Sequence, residues 1–156
     1  MTYTFHKCER LCSRRLIDRL YAEGRRLMVY PYSIQWLAID NADRAPSENR
    51  TSHPTPPSPH PAPLPPCQVM IVAPKRRFRH AVDRNRVKRL TRECYRMRKH
   101  LLYDLLAQNG LRIALALVYV GNEIMTYQQL ERKMDKLVEA LGADILRTQN
   151  PTPGQP

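Results

Sequence analysis

A proline-rich segment in the first half of the chain sets the strongest limit on its fold. Residues 42–66 contain nine of the 14 prolines, and nearly all of their other side chains are small or polar. Such a segment lacks the apolar surface that a folded core requires. It predicts a disordered, partly polyproline-II insertion in a single domain of residues 1–147, which a disordered tail follows at 148–156. Recognition of the insertion by a proline-binding domain is the alternative.

The apolar patterns on both sides of the insertion predict helices and strands in the order αβββαβα. Ser13 and Gly24 are typical N-cap and C-terminal residues for a short amphipathic first helix. Strands are predicted at residues 27–30, 32–39, 68–73 and 111–120 from their apolar, aromatic and branched side chains. A long helix is predicted at 83–108, and a last helix begins at the capping box of Thr126 and Gln129 and stops at Gly142. This order predicts a two-layer α+β sandwich.

The positive charge of the chain is concentrated in one segment. The chain has 26 Lys and Arg against 14 Asp and Glu, a formal net charge of +12. Residues 75–99 hold 12 basic side chains and two acidic ones, Asp83 and Glu93, which leaves a net charge of +10. A surface with so few acids repels itself unless a polyanion neutralises it. Nucleic acid is therefore the predicted partner, and no membrane is expected because no apolar run is long enough to span a bilayer.

A helical projection of this segment separates an apolar stripe from a basic face. The stripe contains Val87, Leu90, Cys94, Met97, Leu101 and Leu105. The opposite side carries Asn85, Lys88, Arg89, Arg92, Arg96 and Lys99. Arginine outnumbers lysine in the segment, which favours forked hydrogen bonds to phosphate oxygens. One face is thus predicted to pack in the core and the other to bind phosphates, contacts that position a partner without reading its sequence.

The residues around this helix resemble the signature of the bacterial ribonuclease P protein. Ala81-Val82 is followed by Arg84-Asn85-Arg86, Lys88-Arg89, Arg92-Glu93 and Arg96, in the spacing AV-x-RNR-x-KR-x-x-RE-x-x-R. Lys75-Arg76 matches the basic pair of that family, although the usual glycine before Ala-Val is absent. The resemblance covers about residues 10–141 apart from the insertion. It implies a four-stranded sheet with a left-handed βαβ crossover, the ribosomal protein S5 domain 2-like fold.

The resemblance implies the protein subunit of an endoribonuclease. Such a subunit binds the catalytic RNA and assists the removal of the 5′ leader from precursor tRNA, and it requires no protein partner. The RNA performs the hydrolysis with Mg²⁺ bound mainly by RNA and substrate, so the protein has no catalytic residue and is expected to be inactive alone. The residues assigned to the catalytic RNA are Lys75, Arg76, Arg84, Asn85, Arg86, Lys88, Arg89, Arg92 and Arg96.

The same resemblance implies a cleft between the first helix and the sheet that receives the single-stranded leader. Ile17 and Tyr21 stand where the family has aromatic residues on the first helix, so one stacking platform is aliphatic here. Tyr32, Gln35 and Trp36 are the strand candidates. A shift of one residue in the register of the first strand pair would exchange the two faces, and the three aromatic residues also suit core or rim positions.

The N-terminus and the cysteines predict a cytoplasmic protein with reduced thiols. The first residues alternate polar and basic side chains without the apolar stretch of a secretory signal. Cys8, Cys12, Cys67 and Cys94 are too few and too irregularly spaced for a disulfide scaffold. A metal site at His6, Cys8 and Cys12 is a weak alternative because no second ligand pair follows.

Two other functions compete with this interpretation. A protein nuclease would need paired carboxylates or a carboxylate cluster, but Asp83 suits a helix cap and Glu93 suits a salt bridge. A structural RNA-binding protein of ribosomal type, without enzymatic context, is separated from the first interpretation only by the motif. A DNA-binding basic-region dimer would need sustained heptads, which the chain lacks.

Overall fold

The computed structural model describes residues 9–39 and 65–149. Its helices are α1 (Arg14–Glu23), α2 (Ala81–Gln108) and α3 (Tyr127–Gln149). Its strands are β1 (Arg25–Val29), β2 (Tyr32–Ala38), β3 (Cys67–Val72) and β4 (Ile113–Tyr119). The predicted order αβββαβα is confirmed. Residues 42–64 of the predicted insertion and 150–156 of the predicted tail lie outside the described residues.

The four strands form one mixed sheet in the order β1-β2-β4-β3. β2 pairs antiparallel with β1 and β4, whereas β3 runs parallel to β4 and is joined to it through α2. Pro65 and Pro66, predicted as the end of the insertion, belong to the fold. The carbonyl oxygen of Pro66 accepts a hydrogen bond of 2.9 Å from the backbone N–H of Ile113.

The two faces of the sheet support different helices. Ile34 and Leu115 lie on the face covered by α2 and α3, which holds the larger apolar core. On the opposite face Leu20 of α1 packs onto Ala114 and Ala116 of β4. The alternation of side chains along each strand produces this separation. The predicted α+β class is confirmed, with α1 covering one face and the two longer helices covering the other.

The ends of α1 follow the predicted caps. The Ser13 hydroxyl accepts a hydrogen bond of 3.4 Å from the backbone N–H of Leu16. At the other end the N–H of Gly24 donates to the carbonyl of Leu20 over 2.9 Å. A Cβ atom on Gly24 would lie 2.2 Å from that carbonyl oxygen, so a side chain at this position would force the chain apart. Gly24 is required by this close approach rather than by a positive φ.

The buried stripe of α2 differs from the predicted one. Its buried residues are Val87, Thr91, Cys94, Tyr95, Lys99, Leu102 and Leu106. Leu101, predicted in the stripe, is 49% exposed. Lys99, predicted on the phosphate-binding face, is buried with its Nζ atom 2.6 Å from Oε1 of Glu9. The projection is confirmed at Val87 and Cys94 but wrong at Leu101 and Lys99. The reason is that α2 packs against both the sheet and α3, so more of its circumference is buried than one stripe.

Helix α3 is longer than predicted. It continues through Gly142, the predicted stop, and includes Thr148 and Gln149, which were assigned to the disordered tail. Gly142 is buried where α2 and α3 meet, and a Cβ atom there would lie 3.3 Å from Cδ1 of Leu105. This glycine therefore serves helix packing instead of helix termination. The capping box at the start of α3 is confirmed by reciprocal hydrogen bonds between Thr126 and Gln129, of 3.1 and 3.4 Å.

None of the helices in residues 9–39 and 65–149 is long and apolar enough to cross a bilayer.

Candidate nucleic-acid interface

A tight turn between β3 and α2 presents the first basic side chains. The backbone N–H groups of Arg77 and Phe78 both donate to the carbonyl of Pro74, at 3.1 and 3.2 Å. The Phe78 ring is buried against Tyr119, with 5.6 Å between ring centroids. This anchor fixes the turn on the core, while the basic residues around Phe78 are exposed. They are Lys75, Arg76, Arg77 and Arg79.

Arg84 connects this turn to the start of α2. Its guanidinium Nη1 donates to the carbonyl oxygens of Phe78 and Arg79, both at 3.0 Å. The side chain of His80, the helix N-cap, makes no capping hydrogen bond in the described residues, and Arg84 instead holds the turn against the first helical turn. Arg84 and Asn85 were both assigned to the catalytic RNA. Arg84 stabilises the turn through these two hydrogen bonds, and Asn85 is exposed.

The next two turns of α2 carry cations that no carboxylate of the described residues neutralises. Arg86 and Arg89 are exposed, and Lys88 and Arg92 are half-buried. Within the described part of the chain, none of these four has a carboxylate oxygen within 4.0 Å. Lys75, Arg76 and Arg79 also have no ion pair among the described residues, and we call these seven cations together the basic surface.

The basic character of α2 changes at Glu93. Arg96, also assigned to the catalytic RNA, donates from Nε to Oε2 of Glu93 over 3.1 Å. Two residues further on, Arg98 is paired with Glu131 and Asp135 of α3. The second half of the helix is therefore neutralised by acids from its own sequence and from a neighbouring helix.

The structure shows on which face of the sheet each predicted leader residue lies. Tyr32 is fully buried on the α2 side, where its hydroxyl lies 2.9 Å from the hydroxyl of Thr91. Trp36 is also buried there, and its Nε1 donates to Oδ2 of Asp144 over 2.8 Å. The placement of both residues in a cleft under α1 is wrong, because α2 and α3 cover the face on which they lie.

The remaining leader residues lie on the α1 side of the sheet. Ile17 is half-buried against the cluster under α1, whereas Tyr21 is 45% exposed. Gln35 is buried on the same side, opposite Ala116 in the register. Its Nε2 atom has no hydrogen-bond partner in the described residues. A buried amide N–H without a partner is costly.

Next to α1, one row of this face has none of the described helices above it. The strand pairing places Met28, Ser33, Val118 and Val72 side by side across the sheet. Met28 is 65% exposed, and the other three are half-buried. We call these four residues the open row. Together with Tyr21 they form a shallow, mostly apolar surface beside the helix.

Sequence reasoning missed the open row for an identifiable reason. The apolar residues Tyr32, Ile34 and Trp36 alternate in β2, and this alternation marks them as one core face. The intervening residues, including Ser33, must then face the other way. The signal was present in the sequence, but the resemblance drew attention to aromatic residues instead of to the face opposite them.

Metal-ligating side chains are not clustered in the described residues. No group of three or more His, Cys, Asp or Glu there is arranged to hold a metal ion. Two of the three residues of the weak zinc hypothesis, His6 and Cys8, lie outside the described ranges, and Cys12 is exposed.

Comparison with known sequences identifies relatives of this chain. The Ribonuclease P family profile matches residues 5–142. The ribonuclease P protein component of Porphyromonas gingivalis is 32% identical over 144 residues, which cover 92% of this chain and 90% of the relative. The corresponding protein of Chlorobium phaeobacteroides is 32% identical over 81 residues, covering 47% of this chain and 56% of the relative.

Comparison with solved structures concerns the fold alone, because the sequence identity is 15%. The RNase P protein of Staphylococcus aureus has a TM-score of 0.57 over 85% of this chain and 94% of that structure. The RNase P protein of Thermotoga maritima has the same TM-score over 84% of this chain and 96% of that structure.

Proposed function

Because the chain belongs to the ribonuclease P protein family, we propose that it binds the catalytic RNA of ribonuclease P and the 5′ leader of precursor tRNA. In this role it assists the endonucleolytic cut that produces the mature tRNA 5′ end. The RNA carries out the hydrolysis, and the protein alone is inactive. The observation that carries the proposal is the basic surface, whose cations lack carboxylate partners among the described residues.

The basic surface suits the phosphate backbone of a folded RNA. Its arginines present forked donors, and those of Arg86 and Arg89 point away from the core on successive turns of α2. If the surface meets about six to eight phosphates, affinity should fall steeply as the salt concentration rises. On a duplex, the slope of log affinity against log salt concentration is near −0.9 per phosphate. The anchored turn at Phe78 keeps the basic loop in register with the helix, so little ordering is needed on binding.

The surface formed by Tyr21 and the open row suits a single strand. Unpaired bases stack on exposed aromatic rings and rest on apolar side chains, and Tyr21 and Met28 offer both. Gln35 lies buried on the same side of the sheet, opposite Ala116, and belongs to the floor beneath this surface. The exposed Arg14 and Arg15 on α1 add charge for the leader phosphates.

Mg²⁺ belongs to the RNA and the substrate in this proposal. Hard cations prefer several oxygen ligands, and no cluster of three or more acidic, His or Cys side chains occurs in the described residues. The chemistry that Mg²⁺ supplies is activation of the attacking water and stabilisation of the leaving oxygen. The protein screens phosphate repulsion, which lowers the Mg²⁺ concentration that the complex needs.

Reconstitution tests the proposal directly. Cleavage of a precursor tRNA is measured at low Mg²⁺ with the protein alone, with the catalytic RNA alone, and with both. We expect cleavage only in the mixture. Cleavage by RNA-free protein would indicate a protein nuclease, and no stimulation of the RNA would indicate an RNA-binding protein of ribosomal type.

Tyr21→Ala tests the assignment of the leader surface. Loss of one stacked base costs about 1–3 kcal/mol, so affinity for precursor tRNA should fall about 5- to 150-fold while affinity for mature tRNA is unchanged. Leu146→Ala, a similarly exposed apolar residue on α3, is the control and should change neither. Equal losses for both tRNAs in the Tyr21 variant would contradict the assignment. Dissociation constants of the reconstituted complex provide the measurement.

A further inference from the structure

A recess lies between the middle of α2 and the first turn of α3. Its volume is about 410 Å³, and it is lined by Arg89, Leu90, Arg92, Glu93 and Tyr127. This volume falls within the range of about 300–1,000 Å³ typical of small-ligand sites. The recess adjoins the basic surface, because Arg89 and Arg92 belong to both. It is separate from the open row, which lies on the opposite face of the sheet.

The cations of the recess have unused donors. The Nε atom of Arg92 is buried and has no hydrogen-bond partner in the described residues. This atom is closed to a ligand, but the half-buried guanidinium has no counter-ion among the described residues, so an anion that neutralises it from the recess is favoured. Arg89 is exposed beside it and carries no ion pair in the described part of the chain. Arg89 and Arg92 thus each present a guanidinium group to an anion in the recess.

The single acid of the recess does not cancel this charge. Glu93 accepts hydrogen bonds from Nε and Nη2 of Arg96, so its charge is already balanced by a residue outside the recess. Its carboxylate oxygens can still accept a hydrogen bond from an N–H donor, because each has a second lone pair. The recess thus combines anion-binding groups with one acceptor.

Tyr127 supplies an aromatic wall held in a fixed position. It is the first residue of α3, directly after the capping box of Thr126 and Gln129. Its ring is half-buried and packs against the main core, which leaves part of it facing the recess. A ring that the core already orients loses little entropy when a second flat group stacks on it.

We propose that this recess binds one unstacked nucleotide of the catalytic RNA, with its base on Tyr127 and its phosphate on Arg89 and Arg92. The proposal rests on the function proposed above and extends it. Phosphate contacts along α2 set position without reading sequence, whereas a base in the recess fixes which nucleotide lies there. Glu93 faces the edge of that base and favours one that presents an amino or imino N–H.

The test separates the ring from the charge. Tyr127→Leu keeps an apolar side chain on the core and removes the aromatic face, and Tyr127→Phe keeps both. Dissociation constants for the catalytic RNA are measured over a range of salt. We expect Tyr127→Leu to weaken binding about 5- to 150-fold with an unchanged salt slope, and Tyr127→Phe to bind as the wild type does. Thermal unfolding of each variant confirms that the fold is retained.

A second readout locates the contact. Ultraviolet crosslinking of the wild-type complex, followed by mass spectrometry, should attach a single nucleotide to the peptide that contains Tyr127. The inference is overturned if Tyr127→Leu binds as the wild type does and the crosslink is absent, while Arg86→Ala still weakens binding. If neither Tyr127→Leu nor Arg86→Ala affects binding, the proposed docking of α2 on the RNA fails as well.

Discussion

Both halves of α2 carry basic residues, five in residues 81–94 and three in residues 95–108, yet the two halves differ in what surrounds these side chains. The cations of the first half, including Arg86 and Arg89, have no acidic partner in the described ranges. In the second half, Arg98 and Lys99 are paired with acids from α3 and from the N-terminal segment. Positive charge in a sequence therefore does not by itself define a nucleic-acid surface. The acids that the fold brings to it decide which cations are available.

The largest expected effect in this comparison concerns Lys99. Its ammonium group and the carboxylate of Glu9 are both more than nine-tenths buried, and Tyr103 also donates to that carboxylate over 2.5 Å. Lys99→Met leaves the acid buried without its cation, which typically costs about 3–5 kcal/mol. Urea denaturation should show that loss. The affinity of the folded fraction for RNA should be unchanged.

A double variant distinguishes charge burial from packing. Glu9→Gln combined with Lys99→Met replaces both charges by neutral side chains of similar size. Because no uncompensated charge is then buried, most of the lost stability should return. A double variant as unstable as the single one would show that packing around Lys99, and not the ion pair, stabilises the N-terminal segment.

Substitutions in the basic surface should show the opposite pattern to Lys99→Met: RNA affinity should fall while stability is retained. Arg86→Ala removes an exposed cation, so the free energy of unfolding should stay within about 0.5 kcal/mol of the wild-type value. Loss of a charge-assisted contact of about 1.5 kcal/mol should weaken binding to the catalytic RNA about tenfold and reduce the salt slope by about 0.9. Arg98→Ala, in the neutralised half, is the matched control. It should lower stability modestly and leave RNA affinity unchanged; the reverse pattern would contradict the division of α2.

This division also explains how far the sequence could predict the site. The order of elements, both ends of α1 and the capping box of α3 depend on neighbouring residues, and all were predicted correctly. The burial of Lys99 depends on Glu9, which lies 90 positions away in the chain. No local pattern carries that information, so the basic face was predicted about two turns too far along the helix, to Lys99 instead of Arg92.

The surface formed by Tyr21 and the open row shows a different limit on prediction from sequence. The alternation in β2 places Tyr32 and Trp36 on the face opposite Ser33 and Gln35, whereas the prediction had grouped Gln35 with Tyr32 and Trp36. The alternation does not state which face α1 covers. That choice depends on small side chains in β4, where Ala114 and Ala116 allow α1 to approach the sheet closely.

The end of α3 was missed for a related reason. Gly142 was interpreted as a stop, whereas its lack of a side chain serves contact with Leu105.

The smallest expected effect lies at the boundary between the halves, at Glu93. Hydrogen bonds from Arg96 lower the pKa of its carboxyl below the ordinary value. A group of this kind contributes stability above its unfolded pKa, near 4.3, and the contribution disappears as the pH falls through the lower folded pKa. The wild type should therefore lose slightly more stability than Glu93→Gln between about pH 5 and pH 3, measured by urea denaturation. Glu139→Gln, an exposed glutamate on α3, is the control and should follow the wild type. Identical pH profiles for the Glu93 variant and the wild type would mean that the pair is too solvated to mark the boundary energetically, and that only the acids of α3 and Glu9 neutralise the second half.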